Sequence, residues 1–385
     1  MKKILTYALC GALAAGMMTG CEKKTDDEPV VKSEKEQALQ KVAEPYVKNT
    51  VIATYSRMAD EGIVLLQKVQ QIQEAVENNA DYTATMKEAG EAWRRMRVYW
   101  EQSEAFLFGP AEKHNIDPHI DSWPLDYNEM NALLQDEKRM QRIEEEGGSY
   151  VGDKLGYALK GFHAAEYMLF EEGQPHQTNL TRAQAVYLVG IVEDLTQQAI
   201  LLEDCWAGEV SKEKEALITD EEGESMSYSE NYGEYFINAS HPDWKTYQAV
   251  AEQIVSGCVD IAGEVADLKM GNPYRGSDNG GDSEYLESPY SRTSTTDFAD
   301  NIRSIRNAYC GAKQGDASVS DYIKSKDSEL DEKVRKTIEE SIELIGQIDS
   351  FETSAMNNAA VKAAIDKVSE LESILDDEVM EILTK

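Results

Sequence analysis

The chain has 385 residues, 41% of them hydrophobic and 29% charged, with only nine prolines. That balance excludes a disordered chain and suits a helix-rich globular protein of two domains or one large helical body. The formal charge of −34 excludes nucleic-acid binding, which needs a basic face, and leaves a cation, a basic partner or plain solubility as what the acid serves.

Lys2 and Lys3, the apolar run over residues 4–18 and the sequence Met18-Thr19-Gly20-Cys21 predict a lipoprotein signal peptide over residues 1–20. Acylation of Cys21 then anchors the mature protein to a membrane, with residues 21–34 as an acidic tether. Cys10 leaves with the signal. Cys205, Cys258 and Cys310 remain, an odd trio in apolar surroundings, read as buried thiols rather than a disulfide framework or metal ligands.

Apolar residues recur at helical spacing over residues 35–78, with Pro45 and Gly62 as the expected interruptions. A second helix, capped by Asp81 or Thr83, runs to Phe108 and stops at Gly109-Pro110. On it Trp93, Arg97, Glu101, Glu104 and Phe108 share a face, an ionic and aromatic mixture unusual for a core stripe. The loop from His114 to Pro124 carries two of the five histidines together with Asp117, Asp121 and Trp123; it is also compatible with a turn whose Asp caps the next helix. Helices follow over 127–146, 155–170 and 181–206. Residues 208–234 lose periodicity and gain acid, as an inserted loop does. Further helices are predicted over 243–270, 296–312, 321–348 and 354–385, separated by a Gly/Asp/Ser/Tyr loop at 271–293. The pattern is all-α, with two bundles of about four helices each fitting the count.

The chemistry concentrates in the helix over 155–170, where Gly161, His163 and Glu166 stand in a GxHxxE arrangement. His163 and Glu166 share a face and form a candidate metal-ligand pair; the alternative is that they bond each other or backbone carbonyls. The zinc-peptidase arrangement is incomplete, because HExxH needs a glutamate beside the first histidine and a second histidine one turn on, and Phe162, Ala164 and Tyr167 occupy the places that matter. No Walker-type or dinucleotide Gly loop and no paired cysteines at zinc spacing are present. With few histidines, a metal shell has to be rich in Asp and Glu oxygens, which suits iron, manganese or calcium as well as zinc.

Taken together these pieces resemble the imelysin-like proteins over nearly the whole mature length. The motif Gly161, His163 and Glu166 carries most of the likeness. Trp93, Arg97, Trp100, Glu101, Phe108-Gly109-Pro110 and Ile120-Asp121-Ser122-Trp123-Pro124 precede it; Glu287-Ser288-Pro289-Tyr290-Ser291, Ser294, Asp297, Asn301-Ile302 and Tyr309-Cys310-Gly311 follow it. The resemblance implies two four-helix-bundle-like domains packed with a site at their interface, and a role in bacterial iron uptake. The imelysin-like domain is expected over residues 35–385, in approximate halves 35–178 and 179–385. The expected metal ligands are His163, Glu166, Asp121 and Glu101, with Arg97, Trp123, Gly161, Glu287, Ser288, Ser291 and Asp297 shaping the cleft. The expected cargo is iron or an iron chelate, with zinc or calcium as alternative ions. The expected setting is the bacterial cell envelope, on either face of the outer membrane, with outer-membrane or periplasmic uptake proteins as partners. A zinc-dependent metallopeptidase and a non-catalytic envelope interaction protein are the alternatives.

Overall fold

The structure is a computed structural model that describes residues 32–177, 179–220 and 223–385. The signal peptide, Cys21 and the tether up to residue 31 lie outside the described residues. What is described is all-helical, apart from a two-residue antiparallel ladder of Phe170–Glu171 with Gln174–Pro175 and an isolated bridge between Thr219 and Ser225.

Ten helices carry the architecture: α1 (Glu34–Pro45), α2 (Ala53–Glu77), α3 (Thr83–Glu101), α4 (Glu137–Lys154), α5 (Gly161–Leu169), α6 (Arg182–Ala207), α7 (Tyr247–Glu264), α8 (Ser294–Cys310), α9 (Ser328–Gly346) and α10 (Ala359–Ser373). Their starts follow from local chemistry. Asp81 accepts from the Thr83 amide at 3.0 Å, Thr181 forms a capping box with Gln184, and Asp327 caps α9 through Glu329 and Leu330. Helices α2, α3, α4 and α6 pack on one another, and α7, α8, α9 and α10 form a second group. Helix α3 meets α8, and the turn Glu104–Phe106 meets α7, so the two groups share one apolar core. The division at residue 178 expected from sequence separates α6 from α2 and α4, against which it packs.

Several predicted boundaries shift for identifiable reasons. Pro45 does not end the first helical run; the chain continues directly into a π-helical segment, Tyr46–Ile52. Gly62 lies inside an unbroken α2, where a Cβ would stand 3.0 Å from Met96 Cε and 3.2 Å from Thr196 Oγ1. Its role is close helix packing. Helix α3 stops at Glu101 rather than Phe108, and the chain turns into the short 3-10 helix Glu104–Phe106. Gly257 of α7 makes room for that turn, since a Cβ there would lie 2.1 Å from the Ala105 carbonyl oxygen. The inserted stretch 208–234 is partly structured, with short helices at Lys212–Glu215 and Tyr232–Ile237 that bury Lys214, Tyr232 and Phe236.

Candidate functional site

Four segments converge where the two helix groups meet: the end of α3, the turn at Asp121, α5, and the loop 287–293 leading into α8. Gly161 makes the first junction. It starts α5 at φ +77°, and a Cβ would sit 2.1 Å from the Ile120 carbonyl oxygen, so only glycine lets α5 seat against the Asp121 turn. This brings His163 Nε2 to 3.2 Å from Asp121 Oδ1.

Arg97, 1% exposed, is the hub. Its guanidinium bonds Asp121, reaches Glu287 at 2.7 Å and lies 2.6 Å from Glu101, while its face covers the Phe162 ring. Trp100 Nε1 donates to the other Asp121 oxygen at 2.7 Å. Asp121 therefore serves this cluster; the cap of the following helix is Asp126, which accepts from the Glu129 amide at 2.9 Å. Asn301 Nδ2 donates to Glu101 Oε2 at 2.5 Å, leaving its own Oδ1 buried without a partner. Trp123 meets the His163 ring edge-on at 5.0 Å.

Glu166 faces a different task. Its Oε1 accepts from Ser291 N at 2.8 Å, Ser291 Oγ at 2.7 Å and Tyr290 N at 3.2 Å, and its Oε2 lies 3.4 Å from His163 Nδ1. It ties the loop to α5 and orients the imidazole. In that loop Ser288 Oγ donates to Asp297 Oδ2 at 2.6 Å, and Thr293 links Ser291 to the same carboxylate.

Sequence reading missed Lys269, the second buried cation here. Its ammonium lies 3.2 Å from Glu287, 3.7 Å from Glu104 and 3.9 Å from both Glu101 and Glu264. The signal was a lysine in apolar register four residues after Val265. Glu104 and Asp117 were also left out of the expected ligand set, although Glu104 shares a face with Arg97. All of the expected site residues of the described chain meet within this one network, with Asp121, His163 and Glu287 presenting ligand atoms within 4.8 Å of one another and Glu101, Glu104 and Asp121 forming an overlapping set.

Charge balance sets the electrostatics. The carboxyls of Glu101, Glu104, Glu166, Glu287 and Asp297 are buried with Arg97, Lys269 and His163, and the partly buried Asp121 adjoins them, so acid exceeds base whatever the imidazole carries. Burial pushes Glu101 up to about 7 against the pull of Arg97 and Lys269, and pushes Asp117 up to about 6. Burial also holds Glu104 and Asp297 well above the carboxylate range. Burial would raise Asp121 too, but Arg97 and His163 outweigh it and keep this group well below its usual value. For His163, burial works against protonation, yet the bonds to Asp121 and Glu166 win and raise it to about 9. A cavity of about 260 Å³ reaches Asp121, His163, Lys269 and Glu287, and beside it lies a second of about 460 Å³ whose walls share Glu104, Asp117 and Glu264. The approach to the cluster is thus acidic, which favours cations over anions.

The family model described as Imelysin matches residues 51–376. Iron-regulated protein A of Synechococcus elongatus is 28% identical over 270 residues, which cover 70% of this chain and 63% of that protein's length. A putative iron-regulated protein A precursor from Parabacteroides distasonis shares the fold at a TM-score of 0.76, with 23% identity over 93% of this chain and 97% of that one. An imelysin-like protein from Psychrobacter arcticum does so at 0.66, with 11% identity over 92% and 98%. The chain belongs to the imelysin family.

Proposed function

We propose that this imelysin-family chain is an iron-binding protein of the bacterial cell envelope, taking iron as cargo in the cluster around Asp121 and His163. The observation that carries the reading is the excess of buried carboxyls over buried cations. Unpaired carboxylates away from water are expensive, so such a cluster either keeps protons or takes up a cation. The donor set fits: one imidazole nitrogen from His163 with oxygens from Asp121 and Glu287, and with Glu101 and Glu104 within reach, suits iron, and zinc or calcium as lesser alternatives. The iron-regulated name of the Synechococcus relative favours iron among them.

Glu166 takes a positioning role in this reading rather than that of a ligand, because Oε1 is already saturated by three donors. Cys21 acylation, which rests on the sequence, and delivery to outer-membrane or periplasmic uptake proteins, which rests on the family resemblance, belong to the proposal. The test is metal retention: purified protein is exposed to Fe(II) under anaerobic conditions, desalted and analysed for iron. Stoichiometric iron is expected in the wild type, with loss in His163→Ala and Asp121→Asn and weakened retention in Glu166→Gln. Equal iron in the wild type and His163→Ala would sink the site.

A further inference from the structure

A different constellation of ligand-type side chains forms where the inserted stretch meets α6. His114 follows the short helix Pro110–Lys113, Cys205 lies in the last turn of α6, and Glu230 comes from the insertion. A nitrogen, a sulfur and a carboxylate oxygen from these three lie within 4.8 Å of one another. His114 Nε2 is 2.9 Å from Glu230 Oε2, while Lys113 holds the other Glu230 oxygen. The imidazole is fixed by Tyr228, whose ring stacks on it at 3.6 Å and 9°. The segment bearing Glu230 is pinned to the helix turn bearing Cys205 on both sides: Ser227 donates to Asp204, and Asn231 Nδ2 donates to the Ala207 carbonyl at 3.3 Å.

We propose that His114, Cys205 and Glu230 form a second metal site, suited to Zn(II) or a similar borderline cation and independent of the central cluster. Thiolate, imidazole and carboxylate are the donor types that zinc takes, and tetrahedral coordination needs ligand atoms roughly 3.5 Å apart. Distances to the sulfur, at most 4.8 Å, must therefore close by up to about 1.3 Å, and the His114–Glu230 pair at 2.9 Å must open by about 0.6 Å; both shifts are open to His114, on a turn, and Glu230, in a loop, which are 14% and 21% exposed as side chains. A cavity of about 560 Å³ bordered by His114 and Tyr228 gives the ion access and leaves room for a fourth, non-protein ligand. In the absence of a cation, burial pushes the Cys205 thiol up to about 12, so it is held protonated. Binding forms a metal–sulfur bond and sends the thiol proton to solvent.

The test uses Co(II) as an optical stand-in for Zn(II), titrated into the purified protein. A thiolate-to-cobalt charge-transfer band is expected in the wild type and in His163→Ala, abolished by competing Zn(II) and by Cys205→Ser. Zn(II) binding should also release a proton, seen as a buffer-dependent heat. His114→Gln and Glu230→Gln alter partly exposed positions and keep the test alive if Cys205→Ser is unstable; each should weaken Co(II) binding roughly tenfold or more. No band in the wild type at excess Co(II), or a band of unchanged affinity in the His114 and Glu230 variants, overturns the proposal. Loss of the band in His163→Ala overturns its independence from the central cluster.

Discussion

Two buried acid regions of this molecule are treated in opposite ways. Asp331, 2% exposed, is met by neutral donors: Ser320 Oγ at 2.6 Å and Tyr309 OH at 3.2 Å share its Oδ1. The cluster around Arg97 instead pools carboxyls beyond what its cations match and leaves the Asn301 Oδ1 and the Arg97 Nε without partners. An acid that serves the fold is satisfied singly by fixed dipoles, with nothing left over. In the cluster the surplus acid must keep protons or, under the proposal above, take up a cation.

That contrast can be broken most severely at Arg97. Arg97→Met strips the partner from Asp121, Glu101 and Glu287 at once and should destabilise by about 3–5 kcal/mol, with partial recovery of the melting temperature on adding Fe(II). A variant within about 1 kcal/mol of wild type by urea unfolding would erase the distinction between the two regions. Gly161→Ala should follow, on the order of 3 kcal/mol, from its left-handed backbone and the clash with the Ile120 carbonyl. Iron retention should fall with it, since the clash separates His163 from Asp121. Asp331→Asn sharpens the comparison from the other side: about 1–2 kcal/mol of stability lost and iron affinity unchanged. Altered affinity there would show that the two regions are coupled.

The smallest effect expected is on pH. In protein without added metal, His163, raised to about 9, contributes stability that is full below about 6.5 and lost as pH rises through 9. Glu101 and Asp117, raised to about 7 and 6, hold protons that the unfolded chain has released, so their effect has the same sign over lower pH. The melting temperature should therefore drop by a few degrees between pH 6 and 9, and Asp331→Asn should keep that slope. His163→Ala should flatten the upper half of it. A melting temperature that climbs over this range would count against the surplus of buried acid.

The helical fold was legible because apolar periodicity and caps are local signals. Boundaries were less so: the first helical run continues past Pro45 into a π-helical segment, and tertiary contact ends α3 early because Gly257 admits the Ala105 carbonyl. The site's main residues were readable from charges standing on apolar faces, as with Arg97, Glu101 and His163. Lys269 offered the same signal and went unread. The partners of Glu166 lie 124 and 125 residues away in sequence, and no local pattern announces that Tyr290 and Ser291 will close on it. Likewise Cys205 reads as a buried thiol, and only the fold brings His114 and, from the insertion, Glu230 beside it.

The contact between Gly161 and the Ile120 carbonyl couples two parts of the cluster mechanically. It locks the Asp121 turn to the start of α5, and Trp123 packs against His163 from the same turn. Asp121 and His163 are consequently held as one unit, 3.2 Å apart. Lys269 and Glu287 come from separate segments and face them across the cluster, joined to each other at 3.2 Å and to the Asp121 turn through Arg97.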